Sequence, residues 1–306
     1  MTLSEEEERY EDKRILDHSS SEISTEDAAV LMETLMQEMR RGGYEFYTGT
    51  SYRHLLIHKF GSVVELTAPH DILTKRIGEY LPQDAVLREM METSYRILSN
   101  HPLNLERKAK GLNPANSVWF WGAGTRPMLT SFKEKYHKKG AMISAVDLLK
   151  GIAVGAGLDN IIVEGANGGL HTNYTGKAEA AVDALAAQDY DFVYVHIEAP
   201  DEMGHQGSIP DKIKAIENID QKIIGPIVGE LEDLCMDFRT LVLPDHPTPI
   251  CVRTHTGNPV PYLLYDSRKK AEGMPEYSER LGNKSPLFEK EGHRLLSRLF
   301  EMDNER

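Results

Sequence analysis

Apolar residues recur at helical spacing in AAVLMETLMQEMRR, directly behind Ser24-Thr25-Glu26-Asp27. Ser24 or Thr25 is the expected N-cap, and the acids sit in the first turn, where free backbone N–H groups favour negative charge. Gly42-Gly43 is the expected stop. The alternation in YEFYTGTSYRHLLIHKF predicts strand, turn, strand, and Pro69-His70-Asp71 reads as a loop. In DAVLREMMETSYRILSN, Val86, Leu87, Met90, Met91, Tyr95 and Leu98 form a helical stripe, with the methionines as core filler.

The pattern changes near residue 140, where short apolar runs alternate with amphipathic stretches. AMISAV, NIIVEG, DFVYVHIEA, RTLVLPDH and PVPYLLYD read as strands. VDLLKGIAVGAGL, GKAEAAVDALAAQ, a long segment from about Pro210 to Leu234, and EKEGHRLLSRLFEM read as helices. Continuous apolar strands between amphipathic helices predict an α/β unit with a mostly parallel sheet covered on both faces. A boundary belongs near residues 125–140, where Gly122, Gly124, Pro127 and a lysine-rich segment break the periodicity.

Composition narrows the function classes. The chain has 306 residues, 40% hydrophobic and 27% charged, enough to bury a real core. Lys and Arg total 35 against 48 Asp and Glu, a net charge of −13. That argues against nucleic acid as a partner, because phosphate backbones need a basic face. No apolar run approaches the roughly 20 residues of a membrane span. The acidic opening MTLSEEEERYEDKR lacks a signal-peptide core and fits either a frayed terminus or a start inside a domain. Cys235 and Cys251 read as free thiols, and a cytoplasmic location follows.

Candidate chemistry gathers at strand ends. EAPDEMGH places Asp201 and His205 four residues apart beyond DFVYVHIEA, and a helical turn would point both side chains the same way. LVLPDH puts Asp245 and His246 at the next strand end, and His255 follows in RTHTGNPVP. Ligands of parallel sheets bind beyond the carboxyl ends of strands. Mixed oxygen and nitrogen donors suit Mn²⁺, Zn²⁺ or a similar ion. Five donors exceed the needs of one open ion, whereas two ions about 3.5–4 Å apart would use them and serve phosphoryl transfer. A lone Asp-His pair is usually a surface pair or a cap; it is the placement of the set at successive strand ends that favours metal.

His196, inside a strand, reads as packed or as supporting the site. His18, His58, His101, His137 and His293 read as surface residues, and Trp119 and Trp121 as core anchors. Gly157 in VGAGLDN reads as a helix stop, not part of a dinucleotide fingerprint. VEGANGGLHTNYTGK either wraps a ligand or is a surface loop. Arg53 and His54, His70 and Asp71, Arg107 and Arg126 offer a clamp for phosphate or carboxylate; singly, each reads as a solvated surface charge.

SYRHLL, APHDI, NPANSVWFWGAG, KGAMISAVDLLKGI, TNYTGKAEAA, VYVHIEAPDEMGH, KAIENIDQKIIGP, LVLPDHPTP and THTGNPVPYLL run in order over nearly the whole chain. In them the sequence resembles the archaeal-type cofactor-independent (2,3-bisphosphoglycerate-independent) phosphoglycerate mutases of the alkaline phosphatase superfamily. The resemblance implies an alkaline-phosphatase-like, mostly parallel sheet flanked by helices over residues 128–306. It also implies a smaller inserted α+β domain that covers the substrate, residues 1–127. Asp201, His205 and His255 would hold one ion, and Asp245 and His246 part of another. Mn²⁺ is the expected metal, with Mg²⁺, Zn²⁺ and Co²⁺ as alternatives. Arg53, His54, His70, Asp71, Arg107 and Arg126 match positions in family motifs and would bind substrate. Lys150 would contact phosphate or remain a helix-surface lysine.

The implied reaction is the glycolytic interconversion of 3-phosphoglycerate and 2-phosphoglycerate through an enzyme phosphoserine. The family's first strand, with a metal-binding aspartate, and its nucleophilic serine are expected upstream of Met1. His171 stands where the family usually has an aspartate. Two rival readings remain: a metal-dependent phosphatase or phosphodiesterase, and a catalytically inactive fragment or binding protein.

Overall fold

The computed structural model describes residues 1–269, 273 and 275–301. The chain divides into two units, residues 1–127 and 128–306, and residues 302–306 of the second lie outside the described residues.

The first unit opens with a short antiparallel pair, β1 (Thr2–Leu3) and β2 (Ile15–Asp17). Helix α1 (Thr25–Glu38) follows, capped by Ser24, whose hydroxyl accepts from the Asp27 N–H at 3.1 Å. It ends at Met39, short of Gly42. Strands β3 (Tyr44–Tyr47) and β4 (Leu55–His58) form the expected hairpin. Pro69–Ile72 is a single 3₁₀ turn instead of an open loop. Helix α2 (Ala85–Leu98) is capped by Asp84, which accepts from Val86 and Leu87 N–H. Its stripe serves two clusters. Leu87, Met90 and Leu98 pack with Leu31, Met32 and Leu35 of α1, and Met91 packs with Leu3, Ile15, Ile72 and Ile77. Helix α3 (Pro102–Ala109) is capped by His101, which accepts from Leu103 N–H at 3.2 Å.

The second unit is α/β. After the short helix α4 (Phe132–Tyr136) comes β5 (Gly140–Ile143), buried at every position. Helix α5 (Asp147–Ala156) stops at Gly157, where φ of +71° makes the left-handed cap that glycine adopts without strain. Strand β6 (Asp159–Asn160) follows, then α6 (Tyr174–Ala186) and β7 (Phe192–Val195). The parallel sheet has the order β6-β5-β7. NIIVEG thus enters the ladder over two residues only and leaves it before the turn at Gly165.

Beyond β7 the chain forms α7 (Ala199–Gln206) and α8 (Ile209–Ile219). A π turn over Asp220–Ile224 leads from α8 into α9 (Gly225–Asp233). Tyr174 and Ala178 of α6 pack against Ala199, Met203, Ala215 and Ile223 from this series.

The last strands depart from expectation. β8 (Arg239–Val242) and β9 (Leu263–Asp266) pair with each other, antiparallel, and do not extend the parallel sheet. Arg239–Val242 face Leu263–Asp266 in register, and the loop between them returns the chain alongside β8. Arg239 and Arg268 hold the buried Asp266 carboxylate through Nε contacts of 3.0 Å each. Helices α10 (Glu279–Gly282) and α11 (Arg294–Glu301) close the unit, with Arg239 Nη1 donating to Leu299 O at 3.1 Å. Among the described residues, no helix is long and apolar enough to cross a membrane.

Candidate metal centre

Two segments build the site. The first is α7, which starts directly after β7 with Pro200 in its first turn, a position where the missing N–H is no loss. The helical turn places Asp201 and His205 on one face, and His205 Nε2 lies 3.2 Å from Asp201 Oδ2. The second is the irregular stretch between β8 and β9, residues 243–262. It brings His255 Nε2 to 3.4 Å from Asp201 Oδ1 and 3.1 Å from His205 Nε2. Asp245 Oδ2 lies 3.2 Å from His246 Nε2, and the His246 and His255 ring centroids are 3.7 Å apart. Donor atoms of Asp201, His246 and His255 all fall within 4.8 Å of one another.

Glycine makes this approach possible. A Cβ on Gly204 would stand 2.6 Å from the Thr248 backbone oxygen and 3.0 Å from Thr248 Cγ2. The glycine of DEMGH therefore lets α7 lie against the loop that carries His246.

The donor set fits divalent ions. His205 Nδ1 is 3.0 Å from Arg253 O, a pure acceptor, so Nδ1 carries the proton and Nε2 presents a lone pair inward. That lone pair faces a second imidazole nitrogen and a carboxylate oxygen. A proton can bridge one such pair; an ion satisfies several at once. With bonds of about 2.1 Å, neighbouring donors on a tetrahedral or octahedral ion stand about 3.0–3.4 Å apart. The separations here, 3.1 to 3.4 Å, fall in that range. His205 lies against Asp201 and His255, His246 joins Asp201 and His255 within 4.8 Å, and Asp245 stands beside His246.

Two residues at this edge escaped the sequence reading. Buried Thr248 donates its hydroxyl hydrogen to Asp201 Oδ1 and lies 3.4 Å from His246 Nδ1. Ser144, at the end of β5, lies 3.3 Å from His196 Nδ1 and accepts from Val146 N–H. Burial shifts the His196 pKa downward, against the nearby Asp245 and Asp201 charges. Lys177, 1% exposed on α6, donates to His196 O at 3.0 Å, and burial lowers its pKa to about 8.

The expected substrate residues separate. In the first unit, Arg53 is exposed and lies 4.5 Å over the Tyr52 ring, and His18 packs edge-on against both Tyr52 and His70. His70 also meets Trp121 at 5.3 Å. His18 is thus part of a cluster, not an isolated surface residue, and Trp121 is half exposed, not a core anchor. His54 accepts from Gly49 N–H, Asp71 lies 3.9 Å from His70 Nε2, and Arg126 is exposed.

Arg107 requires correction. It is 4% exposed, pairs with Asp27 at 2.8 Å, and donates to Ser20 O and Asn113 O. Its guanidinium ties the first unit together and is not free to clamp a substrate. Lys150, in the second unit, pairs with Asp147 on its own helix at 3.3 Å. Of residues 163–177, the part before α6 is closed by its own bonds, Asn167 N–H to Thr172 Oγ1 among them, and Asn173 caps α6 by accepting from Gly176 N–H.

The Metalloenzyme superfamily family model matches residues 16–295. The 2,3-bisphosphoglycerate-independent phosphoglycerate mutase of Methanosarcina barkeri is 49% identical over 279 residues, 88% of this chain and 70% of that protein. The corresponding mutase 2 of Methanothermobacter thermautotrophicus is 42% identical, over 93% of this chain and 71% of its own. A solved Pyrococcus horikoshii protein superimposes with a TM-score of 0.73 at 28% identity, covering 96% of this chain and 73% of that one. The cofactor-independent phosphoglycerate mutase of Thermoplasma acidophilum shares the fold, with a TM-score of 0.52 at 23% identity over 98% of this chain and 74% of that one. With a metal-type donor cluster, a superfamily match over most of its length and relatives of this identity, the chain belongs to the 2,3-bisphosphoglycerate-independent phosphoglycerate mutases.

Proposed function

We propose that this protein interconverts 3-phosphoglycerate and 2-phosphoglycerate, an isomerisation of glycolysis, with two divalent ions held by Asp201, His205 and His255 and by Asp245 and His246. The observation that carries this reading is the convergence of His205 Nε2, His255 Nε2 and the Asp201 carboxylate within 3.1 to 3.4 Å. Ions at these donors supply positive charge to a transferring phosphoryl group. In this reading the ester bond to one glycerate hydroxyl breaks as a bond to an enzyme serine forms. The reverse transfer delivers the phosphoryl group to the neighbouring hydroxyl.

The chain's own residues supply orientation. His205 keeps its proton on Nδ1 through Arg253 O and leaves Nε2 for the ion. Arg53 and His70 offer contacts to an anionic substrate from the cluster with His18 and Tyr52. His54, Asp71 and Arg126 remain further candidates, and Lys150 is the weakest. Mn²⁺ is the favoured metal, since carboxylate and imidazole together suit it, with Mg²⁺, Zn²⁺ or Co²⁺ as alternatives. A cytoplasmic setting, a small-molecule partner and no nucleic-acid partner accord with the net charge of −13 and two exposed free cysteines.

The test is product analysis with 3-phosphoglycerate and Mn²⁺. Formation of 2-phosphoglycerate, abolished by chelator and restored by metal, is expected where the serine expected upstream of Met1 is also present. Release of inorganic phosphate without isomer would make the protein a hydrolase instead.

A further inference from the structure

We propose that Thr248 is a positioning residue that couples the two groups of metal donors by fixing Asp201 and the tautomer of His246; the metal part of this inference rests on the reading above. Thr248 is 4% exposed, and its hydroxyl touches both Asp201 and His246. The hydroxyl has one hydrogen, and the hydrogen bond to Asp201 Oδ1 uses it, because a carboxylate only accepts. The oxygen then faces His246 Nδ1 at 3.4 Å as an acceptor. This contact favours the His246 proton on Nδ1, which leaves Nε2 for an ion, while Asp245 Oδ2, 3.2 Å from Nε2, draws the proton to Nε2 when no ion lies between them. One hydroxyl thereby orients a carboxylate of one group and an imidazole of the other.

Thr248 is itself held in place. Lys212 Nζ donates to its backbone oxygen at 2.6 Å. Gly204 leaves room for that oxygen and for Cγ2, so α7 and the loop lock against each other at this residue. His205 obtains the same tautomer from Arg253 O, by a separate bond. Groups that orient metal ligands in this way typically alter affinity 10–100-fold when removed.

The experiment uses the full chain and two variants, Thr248→Val, which keeps the shape and removes the hydroxyl, and Thr248→Ser, which keeps the hydroxyl. Mn²⁺ is titrated calorimetrically, and the His246 ring tautomer is read by ¹⁵N NMR on metal-free protein. Circular dichroism confirms that each variant is folded. The expected result is a roughly 10–100-fold loss of Mn²⁺ affinity in the valine variant. Serine should restore affinity, and the Nδ1–H fraction of His246 should be larger wherever a hydroxyl is present than in the valine variant. Valine binding Mn²⁺ as tightly as wild type, or serine failing as badly as valine, overturns the metal coupling. Wild-type protein that takes up no Mn²⁺ overturns the metal reading itself. The tautomer measurement then stands alone, and an unchanged His246 in the valine variant refutes the positioning role.

Discussion

His205 and His255 point their Nε2 atoms at each other across 3.1 Å. Because His205 commits its proton to Arg253 O, this contact presents at least one bare lone pair. Replacing His255 with alanine removes a donor and leaves His205 and Asp201 without their third partner. Mn²⁺ affinity should fall by about 100-fold or more, more steeply than for loss of a supporting residue. Calorimetric titration measures it; unchanged affinity would remove His255 from the site.

Gly204 gives a steric test of the same site. In Gly204→Ala, the new methyl group meets the Thr248 backbone oxygen at 2.6 Å, which neither helix nor loop can tolerate unmoved. The two segments should part, lowering metal affinity about tenfold and stability by about 1–3 kcal/mol. Urea denaturation and Mn²⁺ titration report the two effects, and a variant matching wild type in both would show that the approach is not needed.

Arg107 predicts an effect on folding instead of metal uptake. Arg107→Met leaves Asp27 and the carbonyls of Ser20 and Asn113 without their donor. The expected destabilisation is about 1–3 kcal/mol, as for leaving buried acceptors without their donor. Mn²⁺ binding, a property of the other unit, should survive wherever that unit stays folded. Thermal melting gives the first quantity, and a shift of less than one degree would contradict the structural role.

Asp266 sets an acid limit. Hydrogen bonds from Arg268 and Arg239 hold its carboxyl well below the usual carboxylate range. Its folded pKa is thus lower than its unfolded one, so its contribution to stability is full above the unfolded value and is lost as pH falls through the folded value. Asp266→Asn should flatten the stability curve on the acid side and lower stability near neutral pH. Denaturation midpoints from pH 7 down to pH 3 test this; parallel curves for the two proteins would refute it.

Asp201 and His205 were legible in the sequence because a four-residue spacing on a helix permits one geometry. Asp245, His246 and His255 were legible as chemistry close to strand ends, although β8 and β9 pair with each other and not with β5 or β7. Four-residue strands of similar apolar pattern carry no mark of their partner, so that pairing could not be read. Thr248 was hidden for another reason. A threonine has no distinctive spacing, and its role arises only when Gly204 brings α7 onto the loop. Arg107 misled because a guanidinium in a motif looks the same whether it faces ligand or core. Burial, with Asp27 as partner 80 residues away in sequence, is a tertiary fact.

The π turn at Asp220–Ile224 sits inside an otherwise continuous helical path. Its wider hydrogen-bond ring holds one residue more than an α turn, so it acts as a phase adjuster between α8 and α9. Excising one residue there, such as exposed Gln221, would return the path to regular α winding. Because the wide turn already absorbs that residue, every later side chain would keep its facing; winding all the residues as regular α-helix would instead rotate the later ones by about 100° about the axis. Leu231, now 2% exposed, would in that winding swing out of its buried setting. The helix thus contains its own indel: a single added residue that corrects the facing of all that follows it.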